Sequence, residues 1–163
     1  MTDQVAIIGL GLIGGSLARD LAARGVQLIG YDLDARALRA ALDENVIARA
    51  LSSDLEGIEA ADVVVLALPV QVAPAVLAAV AGRVGHAHLI TDVGSTKSGI
   101  VAAAERLGLG ERFIGGHPLA GDHSSGWSAS RRELFRGARV FLCPGALTRP
   151  DVLDRARALW TLV

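Results

Sequence analysis

The hydrophobic positions of this chain come in two textures that alternate from one end to the other. Short β-branched runs, 4-QVAIIG-9, 26-VQLIGYD-32, 62-DVVVLAL-68, 88-HLITDV-93, 112-RFIGG-116 and 138-ARVFLC-143, read as strands. Between them lie Ala/Leu/Arg stretches of helical period near residues 13–24, 35–43, 70–82, 97–107 and 130–136. A weaker strand over Val46–Ala50 fills the third strand position. Strands that are apolar almost throughout are buried on both faces, as in a parallel sheet covered by helices. The alternation therefore predicts an α/β domain with a doubly wound, mainly parallel sheet of the Rossmann type.

The first strand runs into 9-GLGLIGGS-16 and the chain then turns helical. Glycines at 9, 11 and 14 give G-x-G-x-x-G in the setting that a dinucleotide requires. Gly9 permits the tight turn, Gly11 lets a pyrophosphate approach the backbone, and Gly14 lets helix and sheet pack closely. The helix that follows presents unpaired N–H groups and a partial positive charge to the phosphates, with Leu10, Leu12 and Ile13 as the intervening loop contacts. The second strand ends in Asp32, placed to accept hydrogen bonds from ribose hydroxyls and to repel a 2′-phosphate, so NAD is favoured over NADP. Arg36, one turn further on, is the alternative receiver of such a phosphate, with a solvated helix position as its plainer reading. Leu68 and Pro69 at the end of the fourth strand, and Val93 and Gly94 after the fifth, fall where ligands of such sheets lie and complete the cofactor contacts.

Composition narrows the function classes. The 163 residues are 52% hydrophobic and 20% charged with a formal net charge of −1, which suits one globular domain and gives no basic surface for nucleic acid. The longest apolar runs are too short to span a bilayer, so no membrane partner is expected. Met-Thr-Asp-Gln leads straight into a strand, without the form of a signal peptide. A single cysteine, Cys143, excludes an internal disulfide and suits a reducing cytoplasm; it reads as a small buried hydrophobe at a strand end. Of the 16 Lys and Arg residues, Lys97 is the one lysine. At the far end, 150-PDVLDRARALWTLV-163 forms an amphipathic helix that stops on apolar residues, which suggests a fragment or a surface awaiting another segment.

Two further stretches carry chemistry. The fifth strand leads into 92-DVGSTKSG-99 and the sixth into 115-GGHPLAGDHSSG-126, so both converge on one crevice beyond the sheet. Ser95 and His117 form a candidate proton-handling pair with Lys97 nearby, since an imidazole suits general base work at neutral pH. Gly115 and Gly116 are expected to let the backbone pass close to a ligand, and Pro118 to stiffen the turn. For Lys97, capping or solvating a helix start is as good a reading as substrate contact. His86 and His88 read as surface or structural residues. No metal is expected at His117 and His123, because the segment has neither an H-E-x-x-H pattern nor a cysteine cluster.

With GLGLIGGSLA, DVGSTKSGI and GGHPLAGDHSSG in order, residues 4 to about 160 resemble prephenate dehydrogenase and its arogenate-specific relatives. The resemblance implies NAD(P)-dependent oxidative decarboxylation of prephenate to 4-hydroxyphenylpyruvate in tyrosine biosynthesis, with His117 taking the substrate's hydroxyl proton and Ser95 orienting both. It also implies a C-terminal helical domain, outside these residues, that forms a homodimer and contributes a substrate-binding arginine. Ser95, Lys97, Gly121, Asp122 and His123 are the implied substrate contacts. A carboxylate at 122 facing a dianionic substrate needs a partner, and His123 is the expected one. Competing readings are an arogenate dehydrogenase, a β-hydroxyacid dehydrogenase relative, and a dinucleotide-binding regulatory module without catalysis. The G-G-H-P-x-A-G segment disfavours the second, and the third leaves the histidine-bearing loop without a task.

Overall fold

The computed structural model describes residues 3–163. Its strands are β1 (Gln4–Ile8), β2 (Gln27–Tyr31), β3 (Arg49–Ala50), β4 (Val63–Leu66), β5 (Leu89–Asp92), β6 (Phe113–Pro118) and β7 (Val140–Pro144). They form a seven-stranded sheet of order β3-β2-β1-β4-β5-β6-β7, parallel except for the antiparallel β6–β7 pair at one edge. The helices are α1 (Leu12–Ala23), α2 (Ala35–Asp43), α3 (Ala73–Val80), α4 (Ser98–Arg106) and α5 (Pro150–Thr161). This is the predicted doubly wound α/β fold.

Period-two alternation divides the strand residues between two cores. Val5, Ile7, Val63 and Val65 face one layer, where Leu17 and Leu21 of α1, Ala37 and Ala41 of α2 and Val152, Ala156 and Leu159 of α5 close over them. Ala6, Ile8, Val64 and Leu66 face the other, under Leu77 and Val80 of α3 and Ile100 and Ala104 of α4. Each fully buried Leu, Ile or Val contributes about 1.5–3 kcal/mol, so both helix layers are needed to cover these strands. The same constraint places the carboxyl ends of β1, β2, β4, β5 and β6 together on one side of the sheet, beside the N-terminus of α1.

Three expectations change here. Residues 130–136 are not a helix but a run of turns: Glu133 has φ 61° and its N–H is taken by Asp20 of α1 at 2.9 Å, while the N–H of Arg131 donates to Ser16 Oγ at 3.0 Å. Those tertiary bonds replace the i→i−4 ladder that the local composition favours. The strand expected over 112–116 runs on through His117 and Pro118, where a turn was expected, because β6 extends against β7. The apolar face of α5 is covered by its own sheet, with Trp160 standing edge-on to Phe135 at 5.5 Å. Cys143 is half-buried in β7 opposite Gly115. Among the described residues no helix is long and apolar enough to cross a membrane.

Candidate cofactor and catalytic site

Each glycine of the first loop meets a different constraint. Gly9 has φ 97°, and a Cβ there would overlap the Ala67 carbonyl oxygen. A Cβ on Gly14 would overlap the Gly9 carbonyl and approach Ala67 Cβ to 2.7 Å. Gly11 instead faces open space, with the Gly126 amide nitrogen 3.9 Å from where a Cβ would sit. Gly9 and Gly14 are thus required by the fold, whereas Gly11 is free to be required by a ligand. Gly11 is also the N-cap of α1, with no side-chain cap and no acidic residue in the first turn. The orphan N–H donors at this helix start are left for an anion, the arrangement a diphosphate fits.

Asp32 is tied to this loop. Its Oδ2 accepts from the Leu10 amide at 2.7 Å and its Oδ1 from the Asp34 amide at 2.8 Å. The carboxylate therefore shapes the glycine loop and keeps further lone pairs for hydroxyl donors. Asp34 caps α2 and engages Arg36, whose Nε lies 3.2 Å from Asp34 Oδ1. The Arg36 guanidinium in turn holds the Asp34 carboxyl below the usual carboxylate range. Arg36 is exposed and turned toward Asp34, its own helix cap.

A cleft of about 630 Å³ opens in front of the loop. Of the sequence-derived positions, Gly11, Leu12, Ile13, Gly14, Leu68, Val93, Gly121, Asp122 and His123 line it. Gly9, Leu10, Asp32, Arg36, Pro69, Gly94, Ser95, Lys97 and His117 are not among its walls. The Pro69 carbonyl accepts from Val72 and Ala73, so that residue sets the start of α3. The lining also includes Ala67, Ala120, Ser124, Ser125 and Gly126, which sequence reasoning did not single out. Position 67 carried a signal, since a glycine packed against the end of β4 demands a small neighbour there. The other four lie within the quoted stretch or beside residues chosen from it.

Behind the cleft lies a buried ion pair. Lys97 folds back from the start of α4, and its Nζ donates to Asp92 Oδ2 and, at 2.9 Å, to the Gly116 carbonyl. Only 3% of the Asp92 side chain and 14% of that of Lys97 are exposed. Burial pushes the Asp92 carboxyl up, opposed by Lys97 and by the N–H groups of Gly94 and Gly116. This pair explains the two glycines of β6. A Cβ on Gly115 would come within 2.6 Å of Lys97 Cδ, and one on Gly116 within 2.6 Å of the Asp92 carbonyl oxygen. They clear a path for the lysine stem and for the neighbouring strand, rather than for a ligand as the sequence suggested.

His117 follows directly, half-buried on β6 and laddered to Phe141 of β7, with ring centroids 6.5 Å apart. Ser95 is exposed in the β5–α4 turn. Among the described hydrogen bonds none joins Ser95 to His117, so the structure places both at the ends of adjacent strands without pairing them. Asp122 takes Arg131 as its partner at 3.0 Å, not His123, and accepts from the Ser124 amide at 2.8 Å. The Ser124 N–H and Arg131 hold the Asp122 carboxyl below its ordinary range. Among the described residues no group of three His, Cys, Asp or Glu side chains is arranged to hold a metal ion.

These features agree with what the chain is similar to. Residues 17–163 match the family profile described as prephenate dehydrogenase, nucleotide-binding domain. A prephenate dehydrogenase of Bacillus subtilis (strain 168) is 37% identical over 98% of this chain, which spans 44% of that relative. A crystal structure of Aquifex aeolicus prephenate dehydrogenase with hydroxyphenyl propionate and NAD+ superposes with a TM-score of 0.91 at 31% identity, over 99% of this chain and 57% of that one. Synechocystis arogenate dehydrogenase gives 0.88 at 34%, over 96% of this chain and 55% of that one. The chain thus spans about half the length of these relatives. By that match and that identity, the chain belongs to the prephenate dehydrogenase family as its nucleotide-binding domain.

Proposed function

We propose that this chain is the cofactor-binding and base-bearing half of an NAD-dependent dehydrogenase that decarboxylates prephenate to 4-hydroxyphenylpyruvate in tyrosine biosynthesis, homodimeric at full length. The observation that carries the reading is the cleft itself. A bare helix N-terminus forms one wall, and the segment that follows the His117 strand forms the other.

Gly11–Gly14 would hold the diphosphate through the first amides of α1, and Asp32 the ribose hydroxyls. Leu68 and Val93 would pack along the cofactor where it crosses the strand ends. A bound NAD supplies the hydride acceptor. The chain's own residues then have one proton to manage. His117 accepts the hydroxyl proton of the cyclohexadienol at an imidazole nitrogen, and Ser95 orients the hydroxyl toward it. Carbon dioxide leaves as its bonding pair aromatises the ring, and His117 returns the proton to the phenolate oxygen, so no second acid is needed. Lys97 acts from behind, since Asp92 neutralises its ammonium. The substrate's carboxylates therefore call for cations from the part of the enzyme that this chain does not span.

The Asp32 carboxylate and the engaged Arg36 favour NAD over NADP. The similarity to a Synechocystis arogenate dehydrogenase makes arogenate the substrate to run alongside prephenate. The test is calorimetric titration of the chain with NAD+ and NADP+, then nicotinamide absorbance with each substrate in the full-length enzyme. His117→Asn should abolish NADH formation and leave the NAD+ affinity within about twofold. Loss of NAD+ binding in that variant would move His117 to a cofactor or folding role.

A further inference from the structure

The segment after β6 is stitched to the outer helices by a polar cluster that the proposed chemistry does not use. Trp127 is buried, and its indole N–H donates to Glu44 Oε1 at 2.9 Å just beyond α2. Arg19 of α1 lies across the Trp127 ring, its Cζ 4.1 Å from the centroid. The same guanidinium pairs with Glu44 Oε2 at 2.5 Å and donates from Nε to Ser130 Oγ at 2.8 Å. Ser130 Oγ donates a hydrogen bond to the Trp127 carbonyl at 2.6 Å, which closes the ring of bonds.

Shape supports the same reading. A Cβ on Gly15 would fall 2.7 Å from Ser130 Cβ. The glycine that lies outside the G-x-G-x-x-G pattern is thus the seat on which the Trp127–Ser130 turn rests. Immediately before that turn, Gly126 adopts φ 78° and its amide stands opposite Gly11 across the cleft. The position of Trp127 therefore fixes how far the Gly121–Gly126 wall stands from the helix N-terminus.

We propose that Arg19, Glu44 and Trp127 form a clasp that holds this wall at the spacing the dinucleotide needs, and so sets cofactor affinity from outside the cleft. The proposal rests on the cofactor reading of the cleft. They are positioning residues: none lines the cleft, and each acts through the 121–126 segment. A wall released from its clasp samples open arrangements. The apparent dissociation constant then rises by the inverse of the fraction still closed.

The test uses NADH binding to the chain, read by calorimetry, together with amide hydrogen exchange. Trp127→Phe keeps the ring and removes the donor to Glu44, while Glu44→Gln keeps an acceptor and removes the charge. Arg112→Ala serves as a control for stability, because Arg112 donates to the carbonyls of Val84, Gly85 and Ala87, away from the cleft. Both clasp variants should bind NADH about tenfold more weakly, the result of closed fraction falling to about one in ten. Exchange should accelerate at the amides of residues 121–126, and Arg112→Ala should show neither effect at an equal loss of melting temperature. Unchanged affinity in folded Glu44→Gln overturns the clasp, as does an equal loss of affinity in the control. Absence of NADH binding by the parent chain overturns the cofactor reading, and the clasp with it.

Discussion

Replacing Lys97 by methionine separates the charge of the lysine from the path of its stem. Methionine can follow the same route over Gly115, so the substitution removes the ammonium and little else. It leaves the Asp92 carboxylate, 3% exposed, with only the amides of Gly94 at 3.0 Å and Gly116 at 3.4 Å. Breaking one side of a buried pair typically costs about 3–5 kcal/mol, because the remaining charge keeps its desolvation penalty. At about 2–4 °C per kcal/mol for a domain of this size, the melting temperature should fall by about 6–20 °C. The sign of the pH dependence follows from the raised Asp92 value. Without Lys97 that carboxyl rises further, so the variant's deficit is smallest below about pH 4, where the group is protonated in both states, and grows as pH increases through the folded value. Urea unfolding of Lys97→Met, Asp92→Asn and the double variant from pH 4 to 8 measures this, and the double variant should recover most of the loss. A deficit under about 1 kcal/mol at pH 7, or one independent of pH, would refute the assignment of Lys97 as a buried counter-ion.

The loop glycines should separate folding from binding. Gly14→Ala, whose Cβ would overlap a backbone oxygen, should lose about 3 kcal/mol in denaturant unfolding. Gly11→Ala should unfold within about 0.5 kcal/mol of the parent yet bind NAD+ at least about tenfold more weakly by calorimetry. Asp32→Ala should weaken NAD+ and narrow its advantage over NADP+, whereas Asp32→Asn, which keeps an acceptor for the Leu10 amide, should retain more affinity; equal losses would mean that the loop bond is irrelevant. The lowered Asp122 value predicts that its bonds to Ser124 and Arg131 persist above the ordinary carboxylate pKa and fail as pH drops through the folded one. Amide exchange at Ser124 should therefore rise in acid relative to an exposed reference amide, and Asp122→Asn should flatten that rise.

The parts of this fold that show in the sequence are those fixed by short-range sterics. Gly9 and Gly14 could be read because a tight turn and a helix packed on a strand leave no room for Cβ, and the strands because both their faces are apolar. What escaped was set by partners distant in sequence. Ser130–Arg136 contains good helix formers, yet Ser16 and Asp20, more than a hundred residues earlier, claim its amides. Gly115 and Gly116 looked like ligand clearance because nothing local announces that a lysine stem crosses them. Asp122 was matched to its neighbour His123 by proximity, whereas the loop carries Arg131 back to it. In the site the same division holds: the shape of the glycine loop could be read, but the depth of Lys97 and the bonds around Trp127 could not.

The ladder between β6 and β7 bears on how turnover is timed. His117 is not carried on a loop; it sits on β6, beyond the reach of β5 and paired on its other side with Phe141 of β7. As the proposed base, His117 would already be aligned when substrate arrives, and its alignment would add no waiting step to the cycle. In the proposed cycle a slow motion would fall instead to residues 121–126, which form the other wall of the cleft. Commitment of the bound molecules and departure of the product would then be governed by that segment, and solvent viscosity should slow turnover of the full-length enzyme without altering the intrinsic isotope effect on the bond that is broken.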